Sequence, residues 1–447
     1  MAMDALNRYL SLNILECPLS FRRRVTLVLV TLLPTLLFLF EAIRSTASLT
    51  LAESAARPAL ERAVALDPAN AALENQLGLA VVTGPEDADP AASLRYFRRA
   101  VELSPDQAPY WADLGSACEA TRDFACADQA LARALRLAPM VPRLYWITAN
   151  YHLRRSQPET ALSLFRKLLE LDPQYAQPTF DVCLRVLNDP ALIERQVLPG
   201  GKNPALGLAY AEFLSAQGES AAARQAWADA VRKGSRFQFS LVESYIERLI
   251  DSGQLEEAAS AWSDLERLGV IGQPDNGNLV FNGGFEREPL QSGFDWRDSV
   301  ASYVAVDFAE PASSQGRRCL RLDFMGTNAD FEPVFQWVEV SSHQRYLLTA
   351  EARSESISSD SGPRLRVVDA GCPACLDAAS DTVVGSTPWH RLSIEFETGS
   401  QTRLVKLSIW RPHSRTFPTE ITGHFWLDAV RLTAEPVPAI ASLKPVP

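Results

Sequence analysis

Histidine and cysteine are scarce in this chain of 447 residues, which contains five histidines and seven cysteines. So few, widely scattered ligands do not make a small disulfide scaffold, and they leave little material for metal or acid–base sites. The sequence also lacks a phosphate-binding glycine loop, a nucleophile elbow and paired metal-binding histidines. Two carboxylates for glycoside hydrolysis can come from anywhere in a fold, so that class alone stays open. We do not expect an enzyme.

Basic residues are outnumbered, with 43 Lys and Arg against 54 Asp and Glu, which gives a net charge of −11. This excess of acid argues against nonspecific nucleic-acid binding. A hydrophobic content of 47% excludes a wholly disordered chain. The length predicts about three domains, and by itself it leaves one or two domains open.

One long apolar segment stands near the N-terminus, at residues 25–43. As a helix it would rise about 28 Å, close to the roughly 30 Å hydrocarbon core of a bilayer. Arg22, Arg23 and Arg24 precede it, so the positive-inside rule places residues 1–24 in the cytoplasm and the rest of the chain outside. We therefore predict a single-pass protein of a bacterial inner membrane with a periplasmic bulk.

A cleaved signal peptide is the alternative, because small residues follow the apolar run at positions 45–47. Against it, the segment before the run is long, and Glu41 and Arg44 would lie in the cleavage region. With the membrane helix, Cys17 would be a cytoplasmic thiol.

A proline-ended pattern recurs after the membrane segment, at Pro68, Pro105, Pro139 and Pro173, with spacings of 37, 34 and 34 residues. An insertion at residues 83–87 explains the longer spacing. The small residue of each unit, such as Gly115, would allow two helices to approach closely. The pattern weakens after residue 173 and returns around residues 218–227 and 253–262.

This pattern resembles the tetratricopeptide-repeat family, whose units of 34 residues are helix–turn–helix pairs. The resemblance implies an all-α solenoid over residues 53–270, degenerate after 173. It also implies a protein-binding groove lined by the first helix of each unit, but the full basic set that clamps a C-terminal carboxylate is missing. The groove candidates are Asn75, Glu119, Arg143, Trp146, Asn150 and Arg154; the structural alternative is that Trp146 packs on the next unit and the arginines are solvated.

The composition changes at a cluster of turn-forming residues, 272–278. Seven to nine short alternating segments follow, which predicts an all-β sandwich over residues 275–435 and a Pro-rich tail over 436–447. The opening stretch at residues 278–286 and the closing strand at residues 425–430 resemble jelly-roll carbohydrate-binding modules and galactose-binding-like domains.

That resemblance implies a structural calcium ion held by Glu286 and Asp428, although one family ligand is replaced by Ala429. No cofactor is required by this prediction, and Asp428 could instead accept backbone hydrogen bonds. Glycan binding would need exposed aromatic faces, and a Trp in a strand is more often in the core. The glycan-binding candidates are Trp296, Gln336, Trp337, Trp410 and Arg411.

Cys372 and Cys375 have the spacing of a redox or metal motif, but they lie in a loop after a strand. In an oxidising compartment a local disulfide is expected; a zinc site would have to recruit two histidines. Cys118 and Cys126 could also pair.

These features together predict a non-enzymatic, membrane-anchored periplasmic scaffold. Its repeats would recruit a protein partner, and its jelly roll would bind glycan in the assembly or export of surface polysaccharide or exopolysaccharide. The alternative is a structural adaptor of an envelope complex whose two domains both bind protein.

Overall fold

The computed structural model describes residues 21–83, 89–199, 204–232, 237–273, 277–299 and 301–435. An apolar N-terminal helix is followed by a helical repeat region and then by two antiparallel sheets, which confirms the predicted fold class. The chain divides into two compact units, Met1–Asp172 and Pro173–Pro447. The predicted insertion at 83–87, Cys17 and the tail at 436–447 lie wholly or almost wholly outside the described residues.

Helix α1 (Phe21–Ala52) contains the predicted membrane segment and carries Pro34 in its interior. Among the described residues it is the one helix long and apolar enough to cross a membrane, as a membrane anchor or a signal sequence would be. Its large apolar side chains from Val25 to Phe40 are exposed. Near its C-terminal end, Arg44 forms ion pairs with Glu41 at 2.5 Å and with Asp67 at 3.5 Å.

Seven further helices complete the described part of the first unit. They are α2 (Arg57–Leu66), α3 (Ala71–Thr83), α4 (Pro90–Leu103), α5 (Ala108–Ala120), α6 (Phe124–Leu137), α7 (Pro142–Arg154) and α8 (Pro158–Leu171). Proline begins several of them, because its fixed φ suits the first helical position and its missing N–H is not needed there. Asp89 and Asp123 cap α4 and α6 by accepting hydrogen bonds from backbone amides.

Glycine permits the close approach of the paired helices. A Cβ atom on Gly115 in α5 would lie 2.7 Å from Cγ of Leu131 in α6. In the preceding pair, a Cβ atom on Gly78 would lie 2.7 Å from the ring of Phe97. Both contacts are shorter than van der Waals packing allows, so a larger side chain there would push the helices apart.

The second unit begins with a 3₁₀ turn (Pro173–Tyr175) and six helices. They are α9 (Ala176–Leu187), α10 (Pro190–Val197), α11 (Pro204–Ala216), α12 (Ser220–Arg232), α13 (Glu243–Asp251) and α14 (Leu255–Leu268), with a second 3₁₀ turn at Phe239–Leu241. The weakened sequence pattern after residue 173 therefore still encodes helices, and Gly253 ends α13 with φ +73°. Their apolar faces bury Tyr210, Trp227 and Trp262.

Ten strands form the sandwich of the second unit. They are β1 (Arg297–Asp298), β2 (Val304–Glu310), β3 (Cys319–Thr327), β4 (Phe331–Glu339), β5 (Arg345–Ile357), β6 (Arg364–Asp369), β7 (Asp377–Ala379), β8 (Gly385–Glu397), β9 (Leu404–Arg411) and β10 (Ile421–Ala434). Sheet A has the order β1-β4-β9-β6-β7 and sheet B the order β2-β3-β10-β5-β8. Strand alternation turns one set of side chains from each sheet into a shared core, represented by Leu407, Leu348 and Phe425.

The unit boundary at residue 173 differs from the predicted change near residue 272. Composition marks the change from helix to strand, whereas the division into compact units follows contacts, and the last helices contact the sandwich. Glu247 of α13 accepts hydrogen bonds from both terminal nitrogens of Arg297 in β1, each at 2.9 Å. The ring of Trp262 in α14 packs against Phe281 and Phe294 at 5.3 and 5.7 Å.

Candidate functional site

The first candidate surface lies on the first helices of the repeat pairs in the first unit. Glu119 of α5 and Arg154 of α7 form a two-point ion pair with distances of 2.7 and 2.8 Å. Asn75 of α3 donates from Nδ2 to Asp113 of α5 at 2.9 Å. Successive first helices are therefore joined by contacts between polar side chains.

Two of these polar groups, Asn75 and Asp113, are withdrawn from solvent. Asn75 is only 6% exposed, and its Oδ1 has no partner among the described residues. Burial raises the pKa of Asp113, while its hydrogen bond to Asn75 and the charge of Arg143 act in the opposite direction. The face thus combines a half-buried carboxylate with the exposed cation Arg143.

Two further groove candidates, Asn150 and Trp146, make contacts within the α7–α8 pair. Asn150 donates to the backbone oxygen of Trp146 at 2.9 Å, and the Trp146 ring packs against Phe165 of α8 at 5.8 Å. Trp146 therefore packs against the second helix of its own repeat pair. These predicted groove residues lie on α3, α5 and α7.

The second candidate surface is the outward face of sheet A, defined here by Glu332, Phe335, Trp337, Arg364, Arg366, Asp377, Lys406 and Trp410. Phe335 and Trp337 alternate along β4 with the buried Gln336, and their half-buried rings meet at 5.8 Å. On β9, Lys406 and Trp410 share this face because they are four residues apart. Two of the predicted glycan-binding residues, Trp337 and Trp410, are therefore brought onto one face.

Charged side chains surround these rings. Glu332 pairs with Lys406 and with Arg366, the latter at 2.8 Å, and Arg366 also pairs with Asp377 at 2.7 Å. Burial acts to raise the pKa of Glu332, but the hydrogen bonds and charges of Lys406 and Arg366 outweigh it and hold that pKa below its ordinary value. Glu332 is therefore ionised across the neutral range.

The indole of Trp410 lies beside a carboxylate and a cation. Its Nε1 donates to Asp330 at 2.8 Å, and the guanidinium of Arg366 lies 4.3 Å from its ring centre. Lys406 stands 4.9 Å from the Phe335 ring. The face offers flat apolar rings bordered by hydrogen-bonding groups, which is the chemistry that a polar ligand with apolar ring faces requires.

For three candidates the glycan-binding prediction is wrong, because their side chains are buried in the domain and have structural roles. Trp296 is fully buried and donates from Nε1 to the backbone oxygen of Asn282 at 3.1 Å. Gln336 uses both ends of its amide on the backbone of Phe281, at 3.1 and 2.8 Å. Arg411 is fully buried and donates to the backbone oxygens of Ala329, Ser361 and Thr419. None of the three presents its side chain to a ligand.

The two carboxylates of the calcium prediction line one cavity of ≈ 390 Å³. Asp428 is fully buried, and its Oδ2 accepts hydrogen bonds from the amides of Ser314 and Gln315 at 2.8 and 2.9 Å. Glu286 accepts from the amides of Arg317 and Arg318 at 2.6 and 3.2 Å. Glu286 near the start of the domain and Asp428 in its last strand therefore both hold the loop at residues 314–318.

This donor set does not fit a calcium ion well. N–H groups aimed at a carboxylate oxygen occupy the position that a cation would need, and calcium takes six to eight oxygen ligands. Among the residues that the structure describes, no group of three or more Asp, Glu, His or Cys side chains is placed to hold a metal. Burial raises the pKa of Asp428, and its four hydrogen bonds act to lower it.

Two disulfides are present in the described residues. Cys372 and Cys375 are bonded in the loop after β6, with Cα atoms 5.3 Å apart. Cys118 and Cys126 are bonded across the turn between α5 and α6, with Cα atoms 5.8 Å apart.

The sequence reasoning missed most of the polar residues on the outward face. Glu332, Arg366 and Lys406 carry no motif, and only the period of two along β4, β6 and β9 could have placed them beside the tryptophans. The contact of Glu247 with Arg297 joins residues 50 positions apart and has no local sequence signal.

Comparison with known proteins gives structural similarities only. No protein-family model matches the chain, and no curated protein matches it in sequence. The solved structures similar to it include a CBM4 domain (12% identity, TM-score 0.27, covering 35% of this chain and 99% of that chain). PilF of Pseudomonas aeruginosa is 19% identical, with a TM-score of 0.28, and covers 51% of this chain and 91% of that chain. The CBM22-1 xylan-binding domain of Paenibacillus barcinonensis Xyn10C is 15% identical, with a TM-score of 0.24, and covers 34% of this chain and 91% of that chain.

Proposed function

We propose that this protein is a non-enzymatic scaffold anchored in the bacterial inner membrane by α1, with the rest of the chain in the periplasm. Its repeat groove recruits a protein partner, and the outward face of sheet A binds glycan. A role in the assembly or export of surface polysaccharide or exopolysaccharide combines these activities.

The outward face of sheet A is the observation that carries the glycan assignment. Pyranose rings have apolar faces and hydroxyl edges, and this face presents Trp337 and Trp410 half-buried beside Glu332, Arg366 and Lys406. Covering a partly exposed Trp ring contributes about 1–2 kcal/mol, at roughly 25 cal/mol per Å² of apolar surface. Two such rings therefore suit the weak, multipoint binding of a polymer.

A glycan array probed with the full chain in detergent micelles tests this assignment. We expect Trp337→Ala and Trp410→Ala each to weaken binding about tenfold without lowering the melting temperature much. Trp111→Ala, which removes a half-buried indole from the repeat region, is the matched control and should bind as the wild type does. Binding that is unaffected by both sheet A variants would place the glycan elsewhere.

Protein recruitment by the repeats is supported by the polar face of α3, α5 and α7. The Oδ1 of Asn75 has no hydrogen-bond partner among the described residues, Asp113 is half-buried, and the exposed Arg143 is close enough to act on the Asp113 charge. A photo-reactive residue in place of Arg143 should crosslink a periplasmic protein in cells. The same residue at Arg133, on the exposed side of a second helix, should not give that product.

The adaptor alternative is favoured by one feature of the same surface. Most charges on the outward face of sheet A are already matched within the chain, as in the pairs of Glu332 with Lys406 and Arg366. A protein could cover such a neutralised surface. Capture of one periplasmic protein by this face, with no hit on the glycan array, would select the adaptor.

Melting experiments test whether Glu286 and Asp428 hold a structural calcium ion. Because Glu286 and Asp428 hold the 314–318 loop through N–H donors, we expect the domain to need no metal. A rise in melting temperature with calcium that a chelator reverses would establish the ion instead.

A further inference from the structure

One cation on the outward face of sheet A, Arg364, has no carboxylate partner. It lies at the start of β6, directly across from Trp410 of β9, with its guanidinium 5.6 Å from the indole ring centre. Among the described residues it forms no ion pair within 4 Å, and its Nε is buried without a hydrogen-bond acceptor.

The other cations on or beside this face are all matched. Arg366 has Glu332 and Asp377, Lys406 has Glu332, and Arg297 has Glu247. Arg364 is therefore the one described cation of this face whose charge no neighbouring carboxylate balances directly.

Sheet B provides an internal comparison, because Trp426 of β10 also lies beside two arginines. Arg321 and Arg353 stand 5.5 and 4.5 Å from its ring centre. Arg321 pairs with Glu310 and Asp323, and Arg353 pairs with Glu355. A Trp flanked by arginines does not by itself leave a guanidinium unmatched, so the situation of Arg364 is particular to sheet A.

The partial burial of the Arg364 guanidinium is energetically unfavourable as long as no ligand is bound. A half-buried guanidinium has lost part of its hydration, and a buried donor without an acceptor adds a desolvation penalty. Burial lowers the pKa of Arg364, and the charge of Asp381 only partly opposes this. A carboxylate placed against the terminal nitrogens of the guanidinium would supply the missing opposite charge.

We propose that the ligand of this face is an acidic polysaccharide, with a uronic acid carboxylate bound by Arg364 while the neighbouring sugar ring lies against Trp410. This assignment rests on the proposed glycan function and names the chemical class of its ligand. The carboxylate selects acidic over neutral polymers, and the indole supplies the apolar contact.

The experiment compares matched polymers on the full chain in detergent micelles. Alginate, polygalacturonate and hyaluronan are immobilised beside their carboxyl-reduced forms, together with neutral xylan. We expect binding to at least one acidic polymer that falls about tenfold or more when its carboxylates are reduced to alcohols. Arg364→Gln should remove this difference, and Arg364→Lys, which keeps the charge but not the fork, should retain part of it.

Arg345→Gln is the control, because it also removes one positive charge but from a 65% exposed side chain on sheet B. It should bind as the wild type does, and unchanged melting temperatures show that the variants are folded. Binding that survives carboxyl reduction, or equal binding by Arg364→Gln and the wild type, overturns the acidic ligand and leaves the glycan function standing. No binding to any polymer overturns both.

Discussion

At the scale of single residues, Asp295 is a buried carboxylate whose ionisation is coupled to folding. It is 1% exposed and accepts hydrogen bonds from the backbone amides of Leu290 and Trp296 at 2.9 and 2.7 Å. Burial raises its pKa to about 6, against the opposing effect of these hydrogen bonds. The folded state therefore keeps a proton at pH values where the unfolded chain has lost it.

This linkage gives a pH-dependent prediction. Stability from Asp295 is fully present at low pH and is lost as pH rises toward the folded pKa near 6. Asp295→Asn cannot ionise, so its stability relative to the wild type should improve by roughly 1–3 kcal/mol between pH 4 and pH 7. Melting of the full chain across this range measures the difference.

Asp251→Asn is the control, because Asp251 is an exposed carboxylate at the end of α13. Its melting curve should parallel that of the wild type at every pH. A constant offset between Asp295→Asn and the wild type would contradict the coupling.

Strand alternation explains which single residues of the site could be predicted. Trp410 and Arg411 are adjacent in sequence, so they must point to opposite faces of β9, and only Trp410 reaches the surface. The same holds for Gln336 and Trp337 on β4. Residue type and nearness in sequence selected both members of each pair, because neither says which face of a strand is covered by the other sheet.

At the scale of elements, the α5–α6 hairpin depends on the absence of a side chain at Gly115. A leucine there would collide with Leu131, whose Cγ lies 2.7 Å from the position of a Cβ atom. We expect Gly115→Leu to cost at least the 1–3 kcal/mol that is typical of overpacking. The exposed neighbouring change Ser116→Leu is the control and should leave the melting temperature nearly unchanged.

The contact between α14 and the start of the sandwich depends on a second glycine. Gly293 has φ +62°, and a Cβ atom on it would lie 2.1 Å from Cζ3 of Trp262. Gly385 has a similar φ of +67° but nothing within 4 Å, so it isolates the backbone cost alone. Alanine at 385 should cost about 1–2 kcal/mol, and alanine at 293 should cost a further 1–3 kcal/mol. Equal losses in melting temperature would show that Trp262 moves aside freely.

Helices and strands could be predicted because each carries a local period, and proline and glycine mark many of their ends. The 34-residue pattern located the α3–α8 pairs, and its weaker return indicated the helix pairs whose turns contain Gly218 and Gly253. The contact of Glu247 with Arg297 could not be predicted in this way, since it depends on how two elements 50 residues apart meet. The compact unit that contains α13 also contains the sandwich.

At the scale of the whole molecule, the disulfides bear on which side of the membrane the two compact units lie. Cys118 pairs with Cys126, and Cys372 pairs with Cys375, so both compact units contain a disulfide. Disulfides persist in oxidising compartments such as the periplasm. Both units are therefore expected on the same, non-cytoplasmic side of the membrane.

The orientation of α1 provides the corresponding prediction. Three arginines at positions 22–24 precede its apolar run, and moving them across a bilayer would be costly, so the C-terminus should lie outside the cytoplasm. A reporter active only outside the cytoplasm should work when fused after residue 55 and after Pro447. Replacing the three arginines by glutamates should weaken insertion or invert it, whereas glutamates for Arg57 and Arg62, beyond the helix, should change neither. A C-terminally tagged product that has lost residues 1–47 would show that α1 is a signal sequence, because an anchor must stay attached to the domains it holds.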